Sequence, residues 1–256
     1  MDLSFDKSVA ADYKSSAQKA RVMTESWVEA QVYCPSCGQE SLSQYPNNTP
    51  VGDFFCPKCS EQFELKAKRD AFGAKIVDGE YRSMLRRLTS SDVPNLFTLS
   101  YDHNRNGVLD LVVIPSHFFV PEIIERRKPL TRTARRAGWT GCNILLGEIP
   151  QAGRVSVVAG GVPVSKPSVL SAWKRTLFLR EQKRMEARGW TLDVMRCVEQ
   201  LGMSEFGLAD IYGYEGRLSK LHAHNRHVRA KIRQQLQVLR DAGYLEFVGR
   251  GRYRVV

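Results

Sequence analysis

Four cysteines and three charged residues, gathered between positions 34 and 66, carry the most legible chemistry of this chain. Cys34-Pro-Ser-Cys37 and Cys56-Pro-Lys-Cys59 are two C-x-x-C knuckles with eighteen residues between them. That spacing belongs to tetrahedral structural zinc, in which four thiolates close the coordination sphere and leave no open position for a substrate. A Zn²⁺ staple over residues 34–59 is therefore expected, in preference to a redox pair. Interleaved with the second knuckle are Asp53, Glu64 and Lys66, spaced D-x₁₀-E-x-K. In a strand, Glu64 and Lys66 share one face and Phe63 and Leu65 the other. An antiparallel partner strand holding Asp53 would bring its carboxylate beside Glu64. Two carboxylates and a backbone carbonyl, that of Leu65, suit a hard divalent cation such as Mg²⁺. Such an ion supports in-line attack of water on a phosphodiester. Lys66 beside it can orient or help deprotonate that water, or offset the charge of the transition state. The E-x-K spacing alone is degenerate, and a surface salt bridge is its ordinary explanation.

The elements that must position these groups raise its weight. Residues 12–32 place Val22, Met23, Trp27 and Ala30 at helical spacing. "VGDFFC" and "QFELKAK" read as strands, and "DGEYRSMLRRL" as a helix over about 78–88. "NLFTLSY" and "GVLDLVVIP" are strands joined through "DHNRNG", whose Asn-Gly fits a hairpin turn. Helix, strands, helix, strands is an α/β layout. With the acids on two adjacent strands it is also the layout of a PD-(D/E)xK nuclease core. Gly52 stands where that motif expects proline, so Asp53 is assigned by position. Asp102-His103-Asn104 invites an HNH-nuclease reading, but the Asn-Gly turn explains the segment better. Residues 121–143 form a loop-like, arginine-rich patch around Trp139, and "RVSVVAGGVPV" is a further strand or hairpin.

A change of composition places a domain boundary near 184–188. "WTLDVMRCVEQL" then reads as a helix with Thr191 as N-cap and Trp190 and Met195 as a hydrophobic staple. "GLADIYGYEGRLSKL" is less regular, and "NRHVRAKIRQQLQVLRDAGYL" is a strong helix ending at Gly243. "YLEFVGRGRYRVV" closes the chain as two short strands around Gly-Arg-Gly. Three helices and a β-hairpin is the winged-helix order, a helix-turn-helix variant whose third helix enters the major groove.

Lysine and arginine outnumber aspartate and glutamate by 38 to 27, a net charge of +11. That surplus points to a polyanionic partner. No apolar run approaches the roughly 20 residues of a membrane span. The N-terminal residues lack the layout of a secretory signal. A soluble, cytoplasmic, monomeric protein is expected, whose six cysteines serve metal binding or stay free thiols, with Cys142 and Cys197 as apolar fillers.

The blocks "YCPSCG", "CSEQFELKAK", "TARRAGWTGCNI", "LFLR", "RGWT", "IRQQLQVLRD" and "GRGRYR" occur in this order over nearly the whole chain. They resemble the methyl-directed restriction endonucleases of the DpnI family. The resemblance implies a PD-(D/E)xK catalytic domain over 1–183 with an embedded four-cysteine zinc site, and a winged-helix domain over 184–256. It implies Mg²⁺-dependent cleavage of double-stranded DNA at GATC carrying N6-methyladenine, read by both domains. Asp53, Glu64 and Lys66 match the family's catalytic residues, and Cys34, Cys37, Cys56 and Cys59 its zinc ligands. Trp139 resembles its methyl-sensing tryptophan, with Arg135 and Arg136 suited to phosphate or guanine. In the last helix Val228, Ile232, Leu236 and Leu239 share one face. Arg226, Ala230, Arg233, Gln234 and Gln237 fall opposite, where Arg suits guanine, Gln suits adenine and Ala230 leaves room for a methyl group. Arg250 and Arg252 on the wing suit phosphates. The competing reading is a non-catalytic zinc-ribbon and winged-helix DNA-binding regulator.

Overall fold

A computed structural model describes every residue except 47–51, 91, 103, 105 and 183. Val51, the first residue of a predicted strand, and His103 of the Asp-His-Asn run lie outside the described residues. The chain divides into two compact units, one of residues 1–147 and 152–174, the other of 148–151 and 175–256. Among the described residues, no helix is long and apolar enough to cross a membrane.

The first unit is mixed α/β. Its main sheet contains β1 (Ser43–Gln44), β2 (Phe54–Phe55), β3 (Gln62–Arg69), β5 (Asn95–Asp102), β6 (Gly107–Ile114), β9 (Val155–Ala159) and β10 (Val162–Pro163), in that spatial order. β3 and β5 run parallel, and every other pairing is antiparallel. β5 lies in the middle, and its run Asn95–Ser100 is buried at every position. A strand covered on both faces loses the alternation that an edge strand keeps. The β5–β6 hairpin is closed as expected, with Asn106 at φ 52° before Gly107. A smaller sheet, in the order β4 (Lys75–Glu80), β8 (Gly141–Leu145), β7 (Ile124–Arg126), stands beside it. The α-helices among the described residues of this unit are α1 (Ser16–Gln31), α2 (Tyr81–Thr89) and α3 (Lys166–Lys174).

Three local expectations are corrected here. α1 turns Thr24, Trp27 and Val28 inward while Ala30 is exposed. The helix expected from Asp78 begins at Tyr81. Pairing with β8 extends Asp78–Glu80 as strand, and the Glu80 carboxylate then caps the helix by accepting from Arg82 N (3.0 Å) and Ser83 N (2.7 Å). The patch at 121–143 is loop only in its middle, because its ends are β7 and the start of β8.

The second unit contains α4 (Phe178–Glu181), α5 (Met185–Leu201), β11 (Glu205–Gly207), α6 (Leu208–Tyr212), α7 (Glu215–Leu221), α8 (Val228–Asp241), β12 (Leu245–Gly249) and β13 (Arg252–Val255). Helices precede the β12–β13 hairpin as expected, but the middle one is split into α6 and α7, and β11 adds a third strand beside β13. α5 starts at Met185, so Thr191 is not an N-cap and no staple forms. Thr191 is fully buried mid-helix, its hydroxyl within 2.6 Å of the buried Gln235 amide oxygen and 2.9 Å of Gln182 Oε1. An interior hydroxyl retained by a specific partner outweighs its preference for a helix end. Trp190 instead stacks on His222 at 3.8 Å between centroids, and His222 Nε2 lies 2.8 Å from the Asp193 carboxylate. α8 ends as read, with Gly243 at φ 72° and its N–H on Arg240 O.

Candidate active site and metal centre

The two knuckles are built alike. Cys34 N donates to Gln39 O and Gly38 N to Cys34 O, both at 2.8 Å. Cys56 N donates to Glu61 O at 2.8 Å and Ser60 N to Cys56 O at 2.9 Å. Each turn requires a left-handed residue at its fourth position after the first cysteine: Gly38 has φ 76° and Ser60 φ 60°. The sulfurs of Cys34 and Cys59, and of Cys37 and Cys56, are each 3.6 Å apart, and all four lie within 4.8 Å of one another. Tetrahedral Zn–S bonds of about 2.3 Å imply sulfur–sulfur edges of about 3.8 Å. The donor set thus fits a structural metal such as zinc. Burial pushes the Cys34 thiol far up and that of Cys59 to about 11. At Cys56 burial acts the same way but is outweighed by the backbone N–H groups of Cys59 and Lys58, which hold the thiol below its usual range. Among the described residues, no other group of three or more His, Cys, Asp or Glu converges this closely. Cys142 and Cys197 are buried and separate.

The second knuckle is the link between β2 and β3, so the metal turn and the acidic residues share one hairpin. Phe54 pairs with Phe63, and one step outward Asp53 N donates to Phe63 O at 2.9 Å. This register sets Asp53 opposite Glu64, and the Asp53 carboxylate accepts from Leu65 N at 2.7 Å. Gly52 has φ 158°, and a Cβ there would lie 2.9 Å from Phe63 O. Proline, fixed near φ −65°, does not fit this backbone. The departure from Pro-Asp therefore has a local cause.

Lys66 Nζ lies 2.6 Å from Glu64 Oε1 and 2.8 Å from Asp78 Oδ1. Burial acts to lower its pKa, but the two carboxylates outweigh that and hold the ammonium well above the lysine range. Arg87 of α2 stands 4.0 Å from the second Glu64 oxygen. A further acid, Glu25 of α1, is bonded to Arg21 (3.2 Å) and Gln44 (3.2 Å). Burial first, and then the Asp53 charge, raise its pKa. Sequence reasoning missed Asp78 and Glu25. Asp78 was hidden in a stretch read as helix, and only strand pairing turns it toward Lys66. Glu25 was open to detection as an acid between the inward positions Thr24 and Trp27.

The remaining candidates lie elsewhere on each unit. Arg135 and Arg136 are exposed, and the Arg136 guanidinium sits 4.9 Å from the Trp139 ring centroid. Trp139 is half-buried, its ring over Gly141, where a Cβ would come within 2.9 Å. Bonds from Leu130 N to Trp139 O, Gly138 N to Leu130 O and Arg127 N to Gly141 O hold the loop as a ribbon. That ribbon rises from β7 and β8, and Asp78 pairs with Cys142 of β8, next to Gly141. A cleft of about 320 Å³ opens between Trp139 and Tyr81.

In the second unit Val228, Ile232, Leu236 and Leu239 are buried, while Ala230, Arg233, Gln234 and Gln237 are exposed on the same helix. Arg226 is exposed but precedes α8 rather than lying on it. Arg233 donates to Tyr212 Oη at 2.8 Å, and Gln234 Oε1 accepts from Lys231 at 2.9 Å. Arg250 is at the wing tip and Arg252 on β13, 3.8 Å from Glu205.

Two family models together match nearly all of the given sequence. One, DpnI, is described as the Dam-replacing family and matches residues 1–182. The other is described as the Dam-replacing HTH domain and matches residues 186–255.

Proposed function

The chain belongs to the DpnI, or Dam-replacing, family, and on that footing we propose that it is a methylation-dependent type II restriction endonuclease with a PD-(D/E)xK core. It cuts double-stranded DNA at GATC sites carrying N6-methyladenine. The observation that carries this reading is the hairpin that sets Asp53 opposite Glu64, with the Lys66 ammonium 2.6 Å from the Glu64 carboxylate. A Mg²⁺ ion held by Asp53, Glu64 and the Leu65 carbonyl would supply a water activated for in-line attack and neutralise charge on the scissile phosphate. Asp53 is held for this by its bonds to β3. Lys66, beside Glu64 and Asp78, is placed to orient or help deprotonate that water, or to offset developing negative charge. Zinc held by Cys34, Cys37, Cys56 and Cys59 would tie the loop joining β2 and β3 to the first knuckle and so help keep the two acids in register.

Recognition is divided between the units. Trp139 supplies an aromatic face for the adenine methyl group, and Arg135 and Arg136 contact phosphate or guanine. In the helix-turn-helix domain, Arg226, Ala230, Arg233, Gln234 and Gln237 read the major groove while Arg250 and Arg252 contact phosphates. The protein works as a cytoplasmic monomer.

Plasmids carrying methylated or unmethylated GATC, incubated with the protein and Mg²⁺, test the reading. The methylated plasmid is expected to be cut and the other spared, with Lys66→Ala binding DNA but not cutting it. Binding of methylated DNA without cleavage by the wild type would instead favour the non-catalytic regulator.

A further inference from the structure

We propose that Asp78 is the positioning residue for Lys66, the carboxylate that keeps the lysine in place when a metal ion occupies Glu64. The inference rests on the nuclease reading above. Lys66 shares its ammonium between two acids, Glu64 at 2.6 Å and Asp78 at 2.8 Å. These acids differ in what else they can do. Glu64 lies on the same strand as Lys66, 24% exposed, opposite Asp53, where an incoming cation needs its oxygens. Asp78 comes from the other sheet, is only 8% exposed, and is held by the β4–β8 register against Cys142.

The other groups around Lys66 do not substitute for Asp78. Arg87, 4.0 Å from Glu64, is itself a cation and cannot hold the ammonium. The Cys142 thiol is pushed up to about 11, first by burial and then by Asp78 itself, and so stays neutral. The Glu80 carboxylate is engaged in capping α2. A cation cannot bind Glu64 without weakening the Lys66–Glu64 pair. A mostly buried ammonium that loses its partner is costly. With Asp78 present, the lysine keeps one ion pair and stays within reach of the scissile phosphate. Without it, Lys66 has only Glu64, and lysine and metal compete for the same carboxylate.

This competition gives a signature that a merely structural aspartate would lack. Mn²⁺ binding to the DNA-free protein, followed by electron paramagnetic resonance, is measured for wild type, Asp78→Asn, Lys66→Ala and the double variant. Asp78→Asn is expected to weaken Mn²⁺ binding on the order of ten-fold, within the range of coupling between contacting groups. In the Lys66→Ala background the same substitution is expected to change it less than about two-fold. At saturating Mg²⁺, Asp78→Asn should slow single-turnover cleavage of methylated DNA, with DNA affinity in Ca²⁺ unchanged. Asp78→Glu, which keeps the charge, should recover part of the Mn²⁺ affinity and covers the case in which the asparagine variant folds poorly.

Wild-type Mn²⁺ affinity in Asp78→Asn, or an equal loss with and without Lys66, would overturn the proposal. A wild type that binds Mn²⁺ yet cuts no DNA would remove the nuclease reading and leave the competition result standing by itself.

Discussion

Restoring the motif's proline at Gly52 is expected to harm this protein. The backbone there has φ 158°, against about −65° for proline. An L-residue's Cβ would also stand 2.9 Å from Phe63 O, a backbone atom within the β2–β3 hairpin that cannot swing aside. For Gly52→Ala, backbone strain of about 1–3 kcal/mol is the main cost. Shifting the hairpin also weakens the bond from Asp53 N to Phe63 O (2.9 Å), adding about 1 kcal/mol. The sum, about 2–4 kcal/mol, corresponds to a melting temperature lower by roughly 5–15 °C for a chain of this size. Gly52→Pro must change φ outright and is expected to cost more. Either substitution moves Asp53 relative to Glu64, and a displacement of about 1 Å in a positioned group costs on the order of 10² in rate. Differential scanning fluorimetry and single-turnover cleavage of methylated DNA measure the two effects. Wild-type melting and cleavage in Gly52→Pro would refute the argument, because the loop would then have absorbed a proline that this backbone excludes.

Removing the metal from the four-cysteine site, or replacing Cys56 by serine, should lower the melting temperature by more than about 10 °C, since structural zinc contributes folding free energy directly. An unchanged melt after verified metal loss would contradict the structural assignment. Trp139→Ala should reduce the preference for methylated over unmethylated GATC while the protein still melts as wild type, measured by competitive cleavage of the two plasmids. A preserved preference would remove Trp139 from methyl sensing. Thr191→Val leaves the buried Gln235 amide without its hydroxyl partner and should cost about 1–3 kcal/mol. Urea denaturation checks this, and a midpoint equal to wild type would show that Gln235 finds another partner.

The parts of this protein legible in its sequence are those set by short-range pattern. Paired C-x-x-C knuckles specify a metal site because ligand type and spacing nearly determine tetrahedral coordination. The apolar stripe of α8 foretold which of its residues are buried, since a helix with one packed face has few other arrangements. Alternation in "FELK" placed Glu64 and Lys66 together, and the hairpin brought Asp53 opposite Glu64. What sequence could not convey was long-range pairing. Asp78 lies twelve positions after Lys66 in a stretch with helical composition. Only the β4–β8 ladder makes it strand and turns its carboxylate toward the lysine. Thr191 looked like a helix cap because local propensity favours threonine there, but Gln235, more than forty residues away, gives its hydroxyl a buried partner. Gly52 looked like a lapse from a motif until the approach of Phe63 O showed why a side chain is excluded. At Asp78 and Thr191 a contact distant in sequence supplied free energy that local preference could not match, while at Gly52 the facing strand of the hairpin excluded a side chain.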